Sequence, residues 1–215
     1  MGSELPTATV SLPAQLSEAF RMLRKGQHVC RDDGPVWFDL RDNPDAYRTI
    51  FTALGYTLSD HPRGFYFFSE GQQSRPEVLS RLVYFFTCLF SDLDQGRYEP
   101  GIIRWVDTLA DHEFSITVLA DGMFSANDRQ RIFSQLQVSP DNFEKAVIAP
   151  LCRYGIATRA KAGSLRFRQG VYRFVEFFQT CADDSLAPTA VADTAGNELT
   201  DTQSDLDEED GEVEQ

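Results

Sequence analysis

The chain has 215 residues, 42% hydrophobic and 12% aromatic, which excludes a disordered or fibrous protein and leaves room for one or two domains with real cores. Its formal charge of −13 is unevenly spread: residues 183–215 hold twelve acids and no base, while the first 182 residues hold 21 acids and 20 bases. A nearly neutral body with an acidic tail can still own a local basic face.

Residues 1–12 read as a loose N-terminal arm without the charged and apolar regions of a signal peptide. A helix is predicted after Pro13, where Leu16, Ala19, Phe20 and Leu23 recur at helical spacing and Lys25-Gly26 ends it. Residues 27–30 suggest a brief strand, and Gly34-Pro35 a break. Val36 to Leu40 is short and apolar, and helix and strand fit it equally. Asp42-Asn43-Pro44-Asp45 starts a helix with proline in its first turn. Tyr47, Ile50, Phe51 and Leu54 share its face, and Gly55 closes it. Residues 56–59 and 65–69 are strand-like runs around the turn-rich Asp60-His61-Pro62-Arg63-Gly64. The second run, Phe65-Tyr66-Phe67-Phe68, is an apolar wing that packs either on its own core or on a dimer or partner interface.

Arg75-Pro76-Glu77 opens the longest predicted helix, apolar on well over half its circumference from Val78 to Leu93. A helix wetted on so thin a face is sandwiched between two bodies, so it is read as the connector and first helix of a second domain. Its most apolar stretch, residues 82–90, is too short to span a bilayer. Residues 95–101 read as loop, 102–109 as helix, and 114–119 alternate like a strand. Ser125-Ala126-Asn127-Asp128 caps a helix with Ile132, Phe133 and Leu136 inward. Ser139-Pro140-Asp141 starts the next, in which Phe143, Val147, Ile148 and Leu151 share a face and Gly155 stops it. Residues 156–159 and 165–168, joined at Ala162-Gly163-Ser164, form a second hairpin. Val171, Phe174, Val175 and Phe178 repeat at helical spacing to about Cys181. From Asp183 aromatics vanish, and a segment that cannot bury enough apolar area to offset its ordering entropy is expected to be disordered.

The order helix, glycine, hairpin thus occurs twice, which argues for two domains of one type. The fold class is mostly α with small β-hairpins (α+β). Winged-helix domains are expected at residues 13–73 and 74–182, between the arm and an acidic tail at 183–215. From Lys145 to Val175 there are seven bases (Lys145, Arg153, Arg159, Lys161, Arg166, Arg168, Arg173) and no acid. A solvated wing whose charges keep a sheet edge from pairing accounts for this. So does a surface for a phosphate backbone or an acidic partner.

Signals for catalysis are missing. There is no GxxxxGK[ST], no GxGxxG after a strand, no nucleophile elbow and no reactive-cysteine context. Cys30, Cys88, Cys152 and Cys181 lack metal spacing, and Cys88 and Cys152 sit among apolar residues as buried free thiols do. A reducing cytoplasm is the expected compartment. His28, His61 and His112 lie far apart and read as hydrogen-bonded loop or surface residues rather than ligands. The acids beside His61 and His112 are too weak a signal for a dyad. Asp32-Asp33 and Asp92 with Asp94 suit a metal, but caps and turns explain them more simply. No catalytic residue, cofactor or metal is expected.

The chain resembles the MukE/MksE family, the tandem winged-helix ("kite") subunits of bacterial SMC condensin-like complexes, with the MksE branch nearer. The residues carrying the resemblance are Leu23-Arg24-Lys25-Gly26-Gln27-His28-Val29, Pro62-Arg63-Gly64-Phe65-Tyr66-Phe67, Leu151-Cys152-Arg153-Tyr154-Gly155-Ile156, Leu165-Arg166-Phe167-Arg168 and Val171-Tyr172-Arg173-Phe174. It is clearest over residues 15–69 and 142–174. The resemblance implies a homodimer without ATPase or nuclease activity. It implies a kleisin partner of the MukF/MksF type, which bridges to an SMC ATPase of the MukB/MksB type. It also implies non-specific contact with double-stranded DNA through the basic helix and wing of the second domain. Arg153 lies on the matching motif, Lys145 matches a basic position one face earlier, and Arg129 is carried over through the divergent part. Arg159, Lys161, Arg166 and Arg168 complete the expected DNA face, and Phe65, Tyr66, Phe67 and Phe68 the expected partner or dimer interface. The expected location is the cytoplasm, at the nucleoid, in chromosome condensation and segregation or in plasmid defence.

Two other readings remain at this level. A stand-alone winged-helix transcription regulator would read base edges with Asn142 and Arg153, and the near-neutral body speaks mildly against it. A protein adaptor would present the basic wing to an acidic protein. In the condensin-like reading, the acidic tail is expected to be able to shield the basic wing in the free protein and to be displaced by DNA.

Overall fold

In a computed structural model, residues 12–69, 76–97, 105–161 and 163–186 are described. Helix α1 (Leu16–Arg24) buries Ala19 and Leu23. The ambiguous stretch after Gly34 is helix α2 (Pro35–Asp42), and α3 (Pro44–Ala53) follows directly. Both open on proline, whose missing N–H costs nothing in a first turn. Asp39 fastens the three helices, accepting from Gln15 N–H (2.6 Å), Tyr47 Oη–H (2.7 Å) and Asn43 Nδ2–H (2.8 Å). Burial opposes its charge, but these donors prevail and hold the carboxyl below its ordinary pKa. Strands β1 (Leu58–His61) and β2 (Phe65–Phe68) pair antiparallel, with Ser59 opposite Phe67. Val29 bridges to Tyr66 and so lies along the outer side of β2. Phe51, Tyr47, Leu40, Val36 and Phe68 lie in the core of this first unit.

The long helix α4 (Pro76–Asp94) buries Leu82, Phe85, Phe86, Leu89 and Phe90 in a second core. After α5 (Trp105–Thr108) and a 3-10 turn comes β3 (Glu113–Ser115). The alternation over residues 114–119 predicts a strand, yet the strand stops at Ser115. Its Oγ accepts the Val118 N–H and caps α6 (Ile116–Phe124), whose buried residues are Leu119 and Met123. The i, i+4 spacing of that pair is the stronger signal. Helix α7 (Asn127–Gln135) buries Phe133. The next helix begins as a 3-10 turn at Pro140–Asn142 and runs through a π segment, Glu144–Ile148, into α8 (Ala149–Arg153). Pro150 has no N–H to give the carbonyl four residues earlier, and the helix is widened by one residue just ahead of it.

Strands β4 (Ala157–Arg159) and β5 (Ser164–Phe167) form the second hairpin, with β3 on the far side of β5 in the order β3-β5-β4. Helix α9 (Tyr172–Leu186) runs past residue 181, where the sequence pattern ends it, and covers the first residues of the expected tail. Residues 187–215, which hold most of the expected acidic tail, and 1–11 of the arm lie outside the described residues. The two units share one order, with an isolated bridge at Val29 in the first where the second has strand β3: then helices, a glycine and a hairpin. Gly55 and Gly155 leave the helices, Gly64 and Gly163 turn the hairpins, and all four have φ between 66° and 80°, a region a Cβ disfavours.

Candidate functional site

The seam between the two cores is polar and interlocking. His28, just after α1, gives both its backbone N–H (2.9 Å) and its ring Nδ1–H (3.1 Å) to the Tyr154 carbonyl at the end of α8. That fixes the tautomer with a bare Nε2. The slot is cut by glycine: a Cβ on Gly155 would sit 2.7 Å from the His28 carbonyl oxygen, and one on Gly170 3.0 Å from His28 Cβ. Burial lowers the His28 pKa to about 4, the cations Arg173 and Arg168 push the same way, and the Tyr154 bond only partly opposes them. His28 is therefore neutral at neutral pH. His61 stacks on Phe65 with ring centroids 4.3 Å apart, accepts the Arg63 N–H at Nδ1 and donates Nε2–H to Glu176 of α9 at 2.9 Å. Arg63 pairs with Asp107 at 3.1 Å and lies 4.2 Å over the Tyr172 ring. Both His28 and His61, read from sequence as loop or surface residues, are contacts between the units.

The same seam claims residues assigned elsewhere from the sequence. Arg168 is 6% exposed, donates Nη2–H to Asp33 Oδ2 at 2.5 Å and sits 3.7 Å from Asp32. A guanidinium so enclosed cannot face a ligand in solution, so the expected DNA face loses it. Asp33 also accepts the Cys30 N–H at 2.8 Å, so the Asp32-Asp33 pair is a turn cap and a seam partner. Arg129 is withdrawn for the same reason: its side chain is 14% exposed, and it donates Nη1–H to Asp92 Oδ2 at 2.7 Å and to the Gly122 carbonyl at 3.0 Å. In the apolar wing, Phe65 and Phe68 are buried, at the seam and in the first core respectively, while Tyr66 and Phe67 are half-buried. Arg173 lies 4.4 Å over the Phe67 ring.

The remaining bases of the second hairpin are exposed. Lys145 and Arg153 lie about two turns apart along the helix that ends in α8, followed by Arg159 on β4, Lys161 in the turn and Arg166 on β5. On β5 the alternation is strict: Leu165 and Phe167 turn inward and Arg166 outward. Arg159 reaches Glu144 at 2.6 Å, which ties the wing to the start of the helix. Arg166 lies 3.5 Å from Asp32 and opposite Glu113, on the seam side. Exposed single pairs of this kind hold little free energy and yield to a competing anion. Among the described residues no carboxylate forms an ion pair with Lys145, Arg153 or Lys161.

Beside the seam an apolar groove of about 300 Å³ runs between the two units. Phe67 and Phe68 form one side, Leu79, Leu82 and Val83 of α4 another, and Phe174 and Phe177 of α9 a third, with His28, Tyr154 and Arg173 contributing the polar atoms. Leu79 is 46% and Phe177 57% exposed at its rim. Sequence reasoning missed this groove. Its one signal was Phe177, an aromatic that falls off the α9 stripe of Phe174, Val175 and Phe178.

The described residues contain no group of three His, Cys, Asp or Glu placed to hold a metal, and no helix among them is long and apolar enough to cross a membrane. Burial raises the thiol pKa of Cys30 to about 11 and shifts Cys88 and Cys152 upward too, so none is a ready thiolate. The described residues present a basic wing and, between the units, an apolar groove. No curated protein matches the chain. The family described as condensin complex protein MksE matches residues 14–179, which include both units from α1 into α9, and the chain belongs to that family.

Proposed function

We propose that this condensin-complex protein works as a non-catalytic accessory subunit that dimerises, binds the kleisin and touches double-stranded DNA without sequence choice. The family match over both units carries the reading. The element order of each unit, with a hairpin following its last helix, supports a tandem winged-helix description. For DNA, the support is the set of exposed cations Lys145, Arg153, Arg159 and Lys161, with Arg166 at the margin. Cations on long stems favour contact with the phosphate backbone, which positions without reading sequence.

For the kleisin, we assign the groove between the units. Its apolar walls and exposed rim fit an amphipathic or extended apolar segment, and Arg173 at its edge favours one that carries a carboxylate. A kleisin in this place would bridge the chain to an SMC ATPase. The test is capture of the purified kleisin of the same complex by the full chain. Stoichiometric recovery that is lost in Leu79→Glu and Phe177→Glu supports the reading, and recovery by both variants at wild-type levels removes the groove assignment.

A further inference from the structure

We propose that the acidic C-terminal segment, residues 187–215, docks on the basic wing of its own chain and competes there with DNA. The inference starts from charge. Residues 187–215 carry ten acids and no base, while the 31 residues from Lys145 to Val175 carry seven bases and no acid. The fold withdraws Arg168 into the seam and stacks Arg173 on Phe67. It leaves Lys145, Arg153, Arg159, Lys161 and Arg166 exposed, three of them with no ion-pair partner among the described residues. Clustered like charges on a solvated hairpin repel one another, and a polyanion relieves that repulsion.

Connectivity supplies the second argument. Only one 3-10 turn, Gln169–Val171, separates β5 from α9, so the acidic segment is tethered to the unit that carries the cations. Helix α9 has 15 residues, about 22 Å at 1.5 Å per residue. A chain of 29 residues, the number that follow Leu186, can reach at most roughly 100 Å. The segment can therefore return along the helix to the wing. A tether of this length presents its carboxylates at millimolar effective concentration, enough for a weak contact to be well populated. DNA, with its denser charge, displaces it. The occupant has no aromatic residue and, apart from Ala190-Val191-Ala192, only isolated aliphatics, so the contact is electrostatic and vanishes when salt shortens the screening length.

Docking can be tested without DNA, and only its consequence rests on the DNA reading above. The chain has three lysines, Lys25, Lys145 and Lys161, and all are exposed. Zero-length carbodiimide coupling of the full chain, with ¹⁵N-labelled and unlabelled protein mixed to identify intramolecular links, reports which lysines meet the tail acids. The expected result is coupling of residues 187–215 to Lys145 and Lys161 well above Lys25, lost at high salt. Equal coupling to all three lysines, or none, overturns the docking. Duplex affinity at low salt is then compared for the full chain, a chain ending at residue 186 and a full-length chain with the ten acids changed to Asn or Gln. Both altered chains should bind about ten-fold more tightly. Preferential coupling with equal affinities overturns the competition. Preferential coupling with no DNA binding by any of the three keeps the docking and removes the DNA reading instead.

Discussion

Arg168→Met separates a seam residue from a ligand-facing one. The guanidinium is 6% exposed and its principal partner, the Asp33 carboxylate, has a side chain 16% exposed. Methionine replaces the stem but, among the described residues, leaves Asp33 with the Cys30 N–H and Asp32 with the exposed Arg166. Removing one partner of a buried pair costs about 3–5 kcal/mol, and the water still reaching Asp33 puts this case at the lower end, about 3 kcal/mol. For a domain of this size that lowers the Tm by roughly 6–12 °C. Thermal unfolding measures the loss. Adding Asp33→Asn should recover part of it, because the uncompensated charge is gone. Duplex affinity, taken well below the new Tm, should stay within about two-fold of wild type because the side chain lies inside. A variant that keeps its Tm and loses DNA affinity would refute the reasoning, since the guanidinium would then have to face outward.

Other predictions follow from the same geometry. Gly155→Ala places a Cβ 2.7 Å from the His28 carbonyl at φ 66°, so it should cost about 2–4 kcal/mol from left-handed strain and displacement of the seam. In contrast, Gly64→Ala meets nothing within 4 Å and should lose only the strain, about 1 kcal/mol. His28 has its pKa lowered to about 4, against about 6.5 when unfolded. Between these values the unfolded chain holds a proton that the folded chain refuses, so stability falls as pH drops from about 6.5 to 4, by about 3 kcal/mol from this group. Urea midpoints at pH 7 and pH 4.5 should therefore differ less in His28→Gln than in wild type. Reversing Lys145, Arg153 and Lys161 to Glu should weaken binding to any duplex and reduce the slope of log affinity against log salt by about 3. An unchanged slope would remove these residues from the face.

Much of the fold can be read locally. Helices α1 and α3, both hairpins and α4 follow from apolar spacing, proline starts and glycine stops, because each is specified within a few residues. The expected division into units rests on the same repeat, and Gly55, Gly64, Gly155 and Gly163 of that repeat all have positive φ. What local pattern misses has identifiable causes. Residues 114–119 satisfy a two-residue period for one more turn than the strand lasts, and the Ser115 cap decides the matter. The π segment depends on Pro150 acting backward along the helix. The site was harder. The exposed cations are legible as a run without acids, but Arg168 and Arg129 belong to that run or its surroundings only in sequence. Their partners, Asp33 and Asp92, lie 135 and 37 residues away, and pairing at such separations leaves no mark in composition. The seam likewise depends on His28 meeting Tyr154 across 126 residues.

In the proposed function this polypeptide is a holding subunit, gripped by a kleisin at the groove between its units. Light scattering of the chain co-purified with the kleisin of its own complex tests that most directly. The account predicts a single species of fixed stoichiometry that dissociates when Phe177→Glu is introduced, with the folded state of the variant unchanged. Separate elution of the wild-type chain and a well-folded kleisin would contradict it.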